Sequence, residues 1–184
     1  MNGKLLIYGA TGYSGQLISQ HALASGLDFE VAGRDADRTR ALAGKLGVGS
    51  RSFSLEDADG IRRGLEGVQC ILHCAGPFSR TARQVMDACI ERKVHYLDIT
   101  AEFGVFALAE SKSEAARAAG IMLLPGVGWD VVPSDCLAVH TVRRVPRPRQ
   151  LRIALKHFGG ISRGSALSAA EMLELGAQIG RAHV

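Results

Sequence analysis

Aromatic side chains are scarce in this chain: Phe, Trp and Tyr make up 5% of its 184 residues. None falls within the arginine cluster Arg143, Arg144, Arg147, Arg149 and Arg152, which Pro146 and Pro148 interrupt. Without rings to stack on bases, that cluster does not read as a nucleic-acid surface, and a solvated interdomain linker is expected there. Long apolar runs are also missing; none approaches the roughly 20 residues needed to cross a bilayer. Met1-Asn2-Gly3-Lys4 leads straight into an apolar run, leaving no room for a secretory leader. The four cysteines, Cys70, Cys74, Cys89 and Cys136, show no metal-ligand spacing, and the histidines form no local cluster. Reduced thiols, a cytoplasmic location and no metal are therefore expected.

What is present is ordinary in composition, 47% apolar and 22% charged with a formal net charge of +4, and strongly patterned in order. Short apolar runs at residues 4–8, 29–33, 52–54, 69–74, 95–99 and 121–124 read as strands. Helical stretches at 14–25, 36–45, 57–65, 81–93 and 102–119 lie between them. Gly26, Gly47, Gly67 and Gly120 fall near helix ends, where left-handed caps are expected. Runs such as Cys70-Ile-Leu-His-Cys74 are mostly apolar rather than alternating, as in a parallel sheet covered on both faces. The pattern predicts an α/β chain with a Rossmann-type doubly wound parallel sheet over residues 1–145. After it come a helix from about Ser134, its N-cap, to about Arg143, a strand at 150–157, a glycine-rich turn at 159–164 and a helix at 165–175. Residues 146–177 thus read as the opening of a second, truncated α/β domain.

The chemistry concentrates where strands end. Gly9-Ala10-Thr11-Gly12-Tyr13-Ser14-Gly15 follows the first strand and opens a helix. Glycines there let the backbone approach a pyrophosphate, and the helix presents free N–H groups to it. The second strand ends Gly33-Arg34-Asp35. An acid at this tip suits the ribose hydroxyl of NAD, whereas a guanidinium suits the 2′-phosphate of NADP. Arg34, with Arg38 one helical turn on, favours NADP, and Asp35 keeps NAD open. Arg34 could equally be a surface arginine paired with Asp35 or Asp37.

The fourth strand ends in Ala75-Gly76-Pro77-Phe78, small enough for a dinucleotide to pass and stiff enough to wall its nicotinamide end. A plain strand-terminating turn explains the same residues. Asp98, Thr100 and Glu102 follow the fifth strand, where facing a substrate and capping the next helix are both open. The loop carrying Trp129 and Asp130 comes next, and Asp130 is the best single polar candidate for the catalytic side. No tyrosine has a lysine four residues on, since Tyr8, Tyr13 and Tyr96 are followed at that spacing by Gly12, Leu17 and Thr100. This argues against short-chain dehydrogenase and sugar-nucleotide chemistry. Cys136 and His140, one helical turn apart, are expected to be a buried pair rather than a nucleophile and its base.

Taken in order, Tyr8-Gly-Ala-Thr-Gly-Tyr-Ser-Gly15, Ala32-Gly-Arg-Asp35, Cys74-Ala-Gly-Pro-Phe78, His95-Tyr-Leu-Asp-Ile-Thr100 with Glu102, and Pro125-Gly-Val-Gly-Trp-Asp-Val-Val-Pro-Ser-Asp135 resemble the saccharopine dehydrogenase-like family, in its trans-acting enoyl reductase branch. Gly159-Gly-Ile-Ser-Arg-Gly164 is similar to that family's second domain. Ala101 departs from its usual glycine and Trp129 from its usual phenylalanine. The resemblance implies an NAD(P)-binding domain followed by a substrate domain, hydride chemistry on a small-molecule substrate, and a chain that is only the N-terminal portion. Residues 178–184 match the in-frame translation of a common sequencing-adapter read and are expected to be a foreign tail. Oligomeric state stays open, as does the alternative of a non-catalytic cofactor sensor or interaction module.

Overall fold

The computed structural model describes residues 3–129, 131–154, 164 and 166. Strands and helices alternate: β1 (Lys4–Tyr8), α1 (Tyr13–Ala24), β2 (Phe29–Gly33), α2 (Ala36–Leu46), β3 (Gly49–Ser52), α3 (Ala58–Gly64), β4 (Val68–His73), α4 (Phe78–Arg92), β5 (His95–Asp98), α5 (Phe103–Ser111), α6 (Ser113–Ala119), β6 (Leu123–Leu124) and α7 (Val132–Val142). The six strands form one sheet in the order β3-β2-β1-β4-β5-β6, every pair parallel. The order reverses between β1 and β4. This is the doubly wound Rossmann arrangement, whose crevice for a ligand opens at that reversal, beyond the carboxyl ends of the strands.

Alternation along β1 decides which helices cover which face. Leu6 and Tyr8 point into one core with Ile61, Leu65, Ile71, Val85, Met86, Tyr96 and Val105. Ile7 points the other way, into a core with Ala22, Phe29, Val31 and Ala43. Burying each large aliphatic side chain contributes roughly 1.5–3 kcal/mol. Both faces of the central strands are therefore apolar.

Several boundaries differ from the sequence expectation. β3 ends at Ser52, because Phe53 turns into the first core, where its ring lies 4.9 Å from that of Tyr8 and its carbonyl accepts the Tyr8 hydroxyl at 2.9 Å. α4 begins at Phe78 rather than at 81, with the N–H groups of its first turn accepted by a distant side chain. The stretch expected as one helix over 102–119 breaks at Lys112, whose ammonium reaches across to Asp87 on α4. β6 is two residues long. α7 starts at Val132 with Pro133 in its first turn, where a missing N–H costs nothing. Ser134 accordingly does not cap it; its hydroxyl donates to the Val131 carbonyl at 3.0 Å. Residues 150–154 of the expected 150–157 strand are not in a strand, since no neighbour among the described residues pairs with them, and residues 155–157 lie outside the described residues. The turn at 159–164 and the helix at 165–175 lie outside them too, apart from Gly164 and Ala166, as do residues 178–184.

Candidate functional site

The glycine turn after β1 is shaped by close approaches. Gly9 sits at φ +80°, and a Cβ there would lie 2.9 Å from the Ala75 nitrogen and the Cys74 carbonyl carbon. The turns after β1 and β4 therefore touch, bringing Gly9 and Ala75 together at the strand-order reversal. A Cβ on Gly15 would press into the Gly9 carbonyl oxygen and stand 2.7 Å from the Ala10 Cα, so glycine lets α1 pack against the turn. Gly12 is the N-cap of α1 and offers no side chain to its first turn. Among the described residues, the N–H groups of Tyr13, Ser14 and Gly15 have no acceptor. Three unclaimed donors at the positive end of a helix, beside a crevice, fit the pyrophosphate of a dinucleotide.

At the tip of β2 the two adjacent candidates part company. Asp35 caps α2: its Oδ1 accepts the Arg38 N–H at 3.0 Å and its carbonyl accepts the Thr39 hydroxyl at 2.6 Å. Asp37 pairs with Arg40. Neither acid holds Arg34, whose exposed guanidinium has no hydrogen bond or ion pair among the described residues. A free guanidinium at this tip fits a 2′-phosphate, and an acid already engaged by a helix is a poor partner for a ribose hydroxyl.

The turn after β4 is braced from beneath. Thr81 Oγ1 lies 3.0 Å from the Ala75 carbonyl oxygen, 3.1 Å from that of Pro77 and 2.9 Å from His73 Nε2. Its single proton goes to a carbonyl, so His73 Nε2–H donates to Thr81 and the Nδ1 lone pair faces inward, without a partner. His73 is fully buried among the rings of Tyr8, Phe78 and Tyr96, and this burial pushes its pKa down to about 3. It is a neutral brace, not an acid or a base. Burial pushes the Cys70 thiol up to about 11 and that of Cys74 to about 12, and raises Cys89 as well. None of these three is a thiolate nucleophile. The described residues contain no group of three metal-ligating side chains.

The acidic run after β5 turns inward rather than toward a substrate. Asp98 and Thr100 are buried. Asp98 Oδ2 accepts the Tyr96 hydroxyl at 2.6 Å, and Oδ1 accepts the N–H groups of Thr100 and Gly126, both at 2.9 Å. Burial raises the Asp98 pKa against the pull of these bonds. Thr100 Oγ1 accepts the Glu102 N–H at 3.0 Å. Glu102 in turn accepts the N–H groups of Phe78 at 3.0 Å and Ser79 at 2.6 Å, so it covers the start of α4 rather than the first turn of α5. Sequence reasoning missed this role because Glu102 and its two N–H donors are joined only through the fold.

Trp129 is exposed, and Asp130 lies outside the described residues. The expected burial of Cys136 and His140 is overturned: both are exposed, because no residue of α7 is buried. They line a shallow open concavity of about 430 Å³ together with Asp135 and Arg143.

Comparison with known proteins identifies the family and the fold. The family model described as the saccharopine dehydrogenase NADP binding domain matches residues 5–124. A trans-acting enoyl reductase of Mycobacterium leprae is 30% identical over 153 residues, which cover 79% of this chain and 37% of that protein. Its counterpart in Mycobacterium ulcerans is 31% identical over 150 residues, covering 77% and 36%. The matched segment is thus well under half the length of these relatives. Among solved structures, saccharopine dehydrogenase (L-Glu forming) of Saccharomyces cerevisiae superposes with a TM-score of 0.66 at 19% identity, over 78% of this chain and 31% of that one. Citrobacter triphenylmethane reductase complexed with NADP(H) superposes at 0.51 and 20% identity, over 63% and 46%. These two likenesses are of fold.

Proposed function

Since this chain belongs to the saccharopine dehydrogenase NADP binding domain family, we propose that it forms the cofactor-binding part of an NADP-dependent oxidoreductase of enoyl reductase type. Gly9, Ala10, Thr11, Gly12, Tyr13, Ser14 and Gly15 hold the pyrophosphate, and Arg34 holds the 2′-phosphate. Ala75, Gly76 and Pro77 wall the nicotinamide side. Asp35 serves the site indirectly, by fixing the start of α2 beside Arg34. When bound, NADP supplies the hydride chemistry, and the chain supplies position and electrostatics. The substrate is a small organic molecule, met on the side of the Trp129–Asp130 loop.

Residues 1–145 make the cofactor domain in this reading, and residues 146–177 open a substrate domain. The outward-facing apolar residues of α7, Val132, Leu137 and Val139, support that division, because such a face needs a cover. The chain by itself is expected to bind cofactor without turning over substrate. No helix among the described residues is long and apolar enough to cross a membrane, and the reading places the protein in the cytoplasm.

The observation that carries the proposal is the meeting of Gly9 and Ala75 at the strand-order reversal, beside three N–H groups and an Arg34 guanidinium that have no partner among the described residues. Calorimetric titration with NADPH and NADH tests it. Tighter binding of NADPH is expected, weakened by about 10- to 100-fold in Arg34→Ala, as the loss of a charge-assisted contact of roughly 1.5–3 kcal/mol requires. If a folded sample binds neither dinucleotide, the chain is an interaction module with a structural glycine turn.

A further inference from the structure

The first turn of α4 lacks a cap of its own. Its N-cap residue is Pro77, whose ring offers no acceptor to the orphan N–H groups that follow. The acceptor comes from another element. Glu102, itself the N-cap of α5, is 8% exposed and spreads its two carboxyl oxygens over the N–H groups of Phe78 and Ser79. A side chain within the turn would serve helix stability alone at less cost, because carrying a carboxyl group into the interior is expensive unless it is fully bonded. What a remote acceptor adds is location. It fixes where α4 begins relative to β5.

Glu102 is held in turn from behind. Its N–H is accepted by Thr100 Oγ1, and the Thr100 N–H by Asp98, which also takes the Gly126 N–H. One line of hydrogen bonds therefore runs from the end of β5 to the N–H groups immediately after Pro77. On the other side, the Thr81 hydroxyl, backed by His73, sits between the carbonyls of Ala75 and Pro77 with one proton to give them. The turn of residues 75–77 is gripped at its carbonyls and at the N–H groups that follow it, and Ala75 abuts Gly9.

We propose that Glu102 is a positioning residue for the nicotinamide end of the site: it sets the turn Ala75-Gly76-Pro77 against the cofactor without touching the cofactor itself. The inference rests on the NADP reading above. It separates the two ends of the dinucleotide, because Glu102 binds the start of α4, whereas the glycine turn follows β1 and Arg34 follows β2.

The test compares NADPH with 2′-phospho-ADP-ribose, which keeps the pyrophosphate and 2′-phosphate but lacks the nicotinamide. In Glu102→Gln the amide places a donor against one of the two N–H groups. NADPH affinity is expected to fall about tenfold, as for one charge-assisted hydrogen bond lost at a buried site. 2′-Phospho-ADP-ribose affinity should stay within about twofold, and the fluorescence gain of bound NADPH should shrink. Thr100→Val, which withdraws the acceptor behind Glu102 and keeps its carboxyl group, should give a smaller loss with the same selectivity. Equal loss of both ligands, or loss of neither, overturns the inference and leaves the cofactor reading standing. If Glu102→Gln does not fold, the selectivity of Thr100→Val decides alone, and its absence overturns the inference. Failure of the unsubstituted chain to bind NADPH overturns the cofactor reading, and this inference with it.

Discussion

Tyr96 and Asp98, two residues apart on β5, share one hydrogen bond of 2.6 Å in the interior, the phenol donating to the carboxyl group. Burial pushes both groups toward their protonated forms, and Asp98 answers with two further bonds from backbone N–H groups. The pair ties the end of β5 to the segment at Gly126.

Tyr96→Phe is accordingly expected to cost about 1–3 kcal/mol at pH 7 by leaving a buried carboxyl oxygen without its donor. The lost bond was one of those holding the Asp98 pKa down, so it rises further in the variant. A carboxyl group raised in the folded state favours folding at low pH, and that contribution is lost as pH rises through its folded value. The penalty should therefore be larger at pH 7 than at pH 4 in urea denaturation. Equal penalties would mean that ring packing, not the hydrogen bond, was removed.

His73 sets a second pH dependence of opposite sense. Its folded pKa, depressed to about 3 from 6.5, means that below pH 6.5 the unfolded chain binds a proton that the folded chain refuses. Its contribution is complete above pH 6.5 and declines as pH falls, by up to about 1.4 kcal/mol per pH unit. Between pH 7 and pH 5 the unsubstituted chain should lose about 2 kcal/mol from this group. His73→Phe should start from a lower stability, having lost the bond to Thr81, and decline less over the same interval. Parallel decline of the two proteins would show that His73 accepts a proton while folded.

Gly15→Ala tests the packing of α1 on the glycine turn. The new methyl group meets the Gly9 carbonyl and the Ala10 Cα, so the helix must shift, at a cost of about 1–3 kcal/mol. The shift moves the free N–H groups with it. Thermal melting by circular dichroism should show a folded protein of lower Tm, and titration should show NADPH binding lost. Retained affinity would mean that α1 can move without carrying the site away.

What local chemistry writes was legible in the sequence. β1 and β2 have their expected bounds, and Gly26, Gly47, Gly67 and Gly120 all adopt positive φ. The turn Gly9–Gly15 sits where strand and helix periodicity put it. The start of α4 was not legible, because Glu102 reaches Phe78 and Ser79 only after α4 and β5 have folded. The same reason hid the inward turn of Asp98 and Thr100: a polar run at a strand end looks alike whether it faces solvent or the N–H groups of a neighbouring loop. Cys136 and His140 failed for a different cause. Periodicity reveals that α7 has an apolar face, and says nothing about whether anything covers it.

Asp35 gives both its side chain and its carbonyl to the start of α2. A residue committed to a helix is not free to follow a change of ligand. In the NADP reading, a lineage drifting between the two nicotinamide dinucleotides can vary position 34 alone, whereas altering position 35 would also strip the side-chain cap from α2. Preference for one coenzyme is then a single-site trait, quick to invert and just as quick to lose.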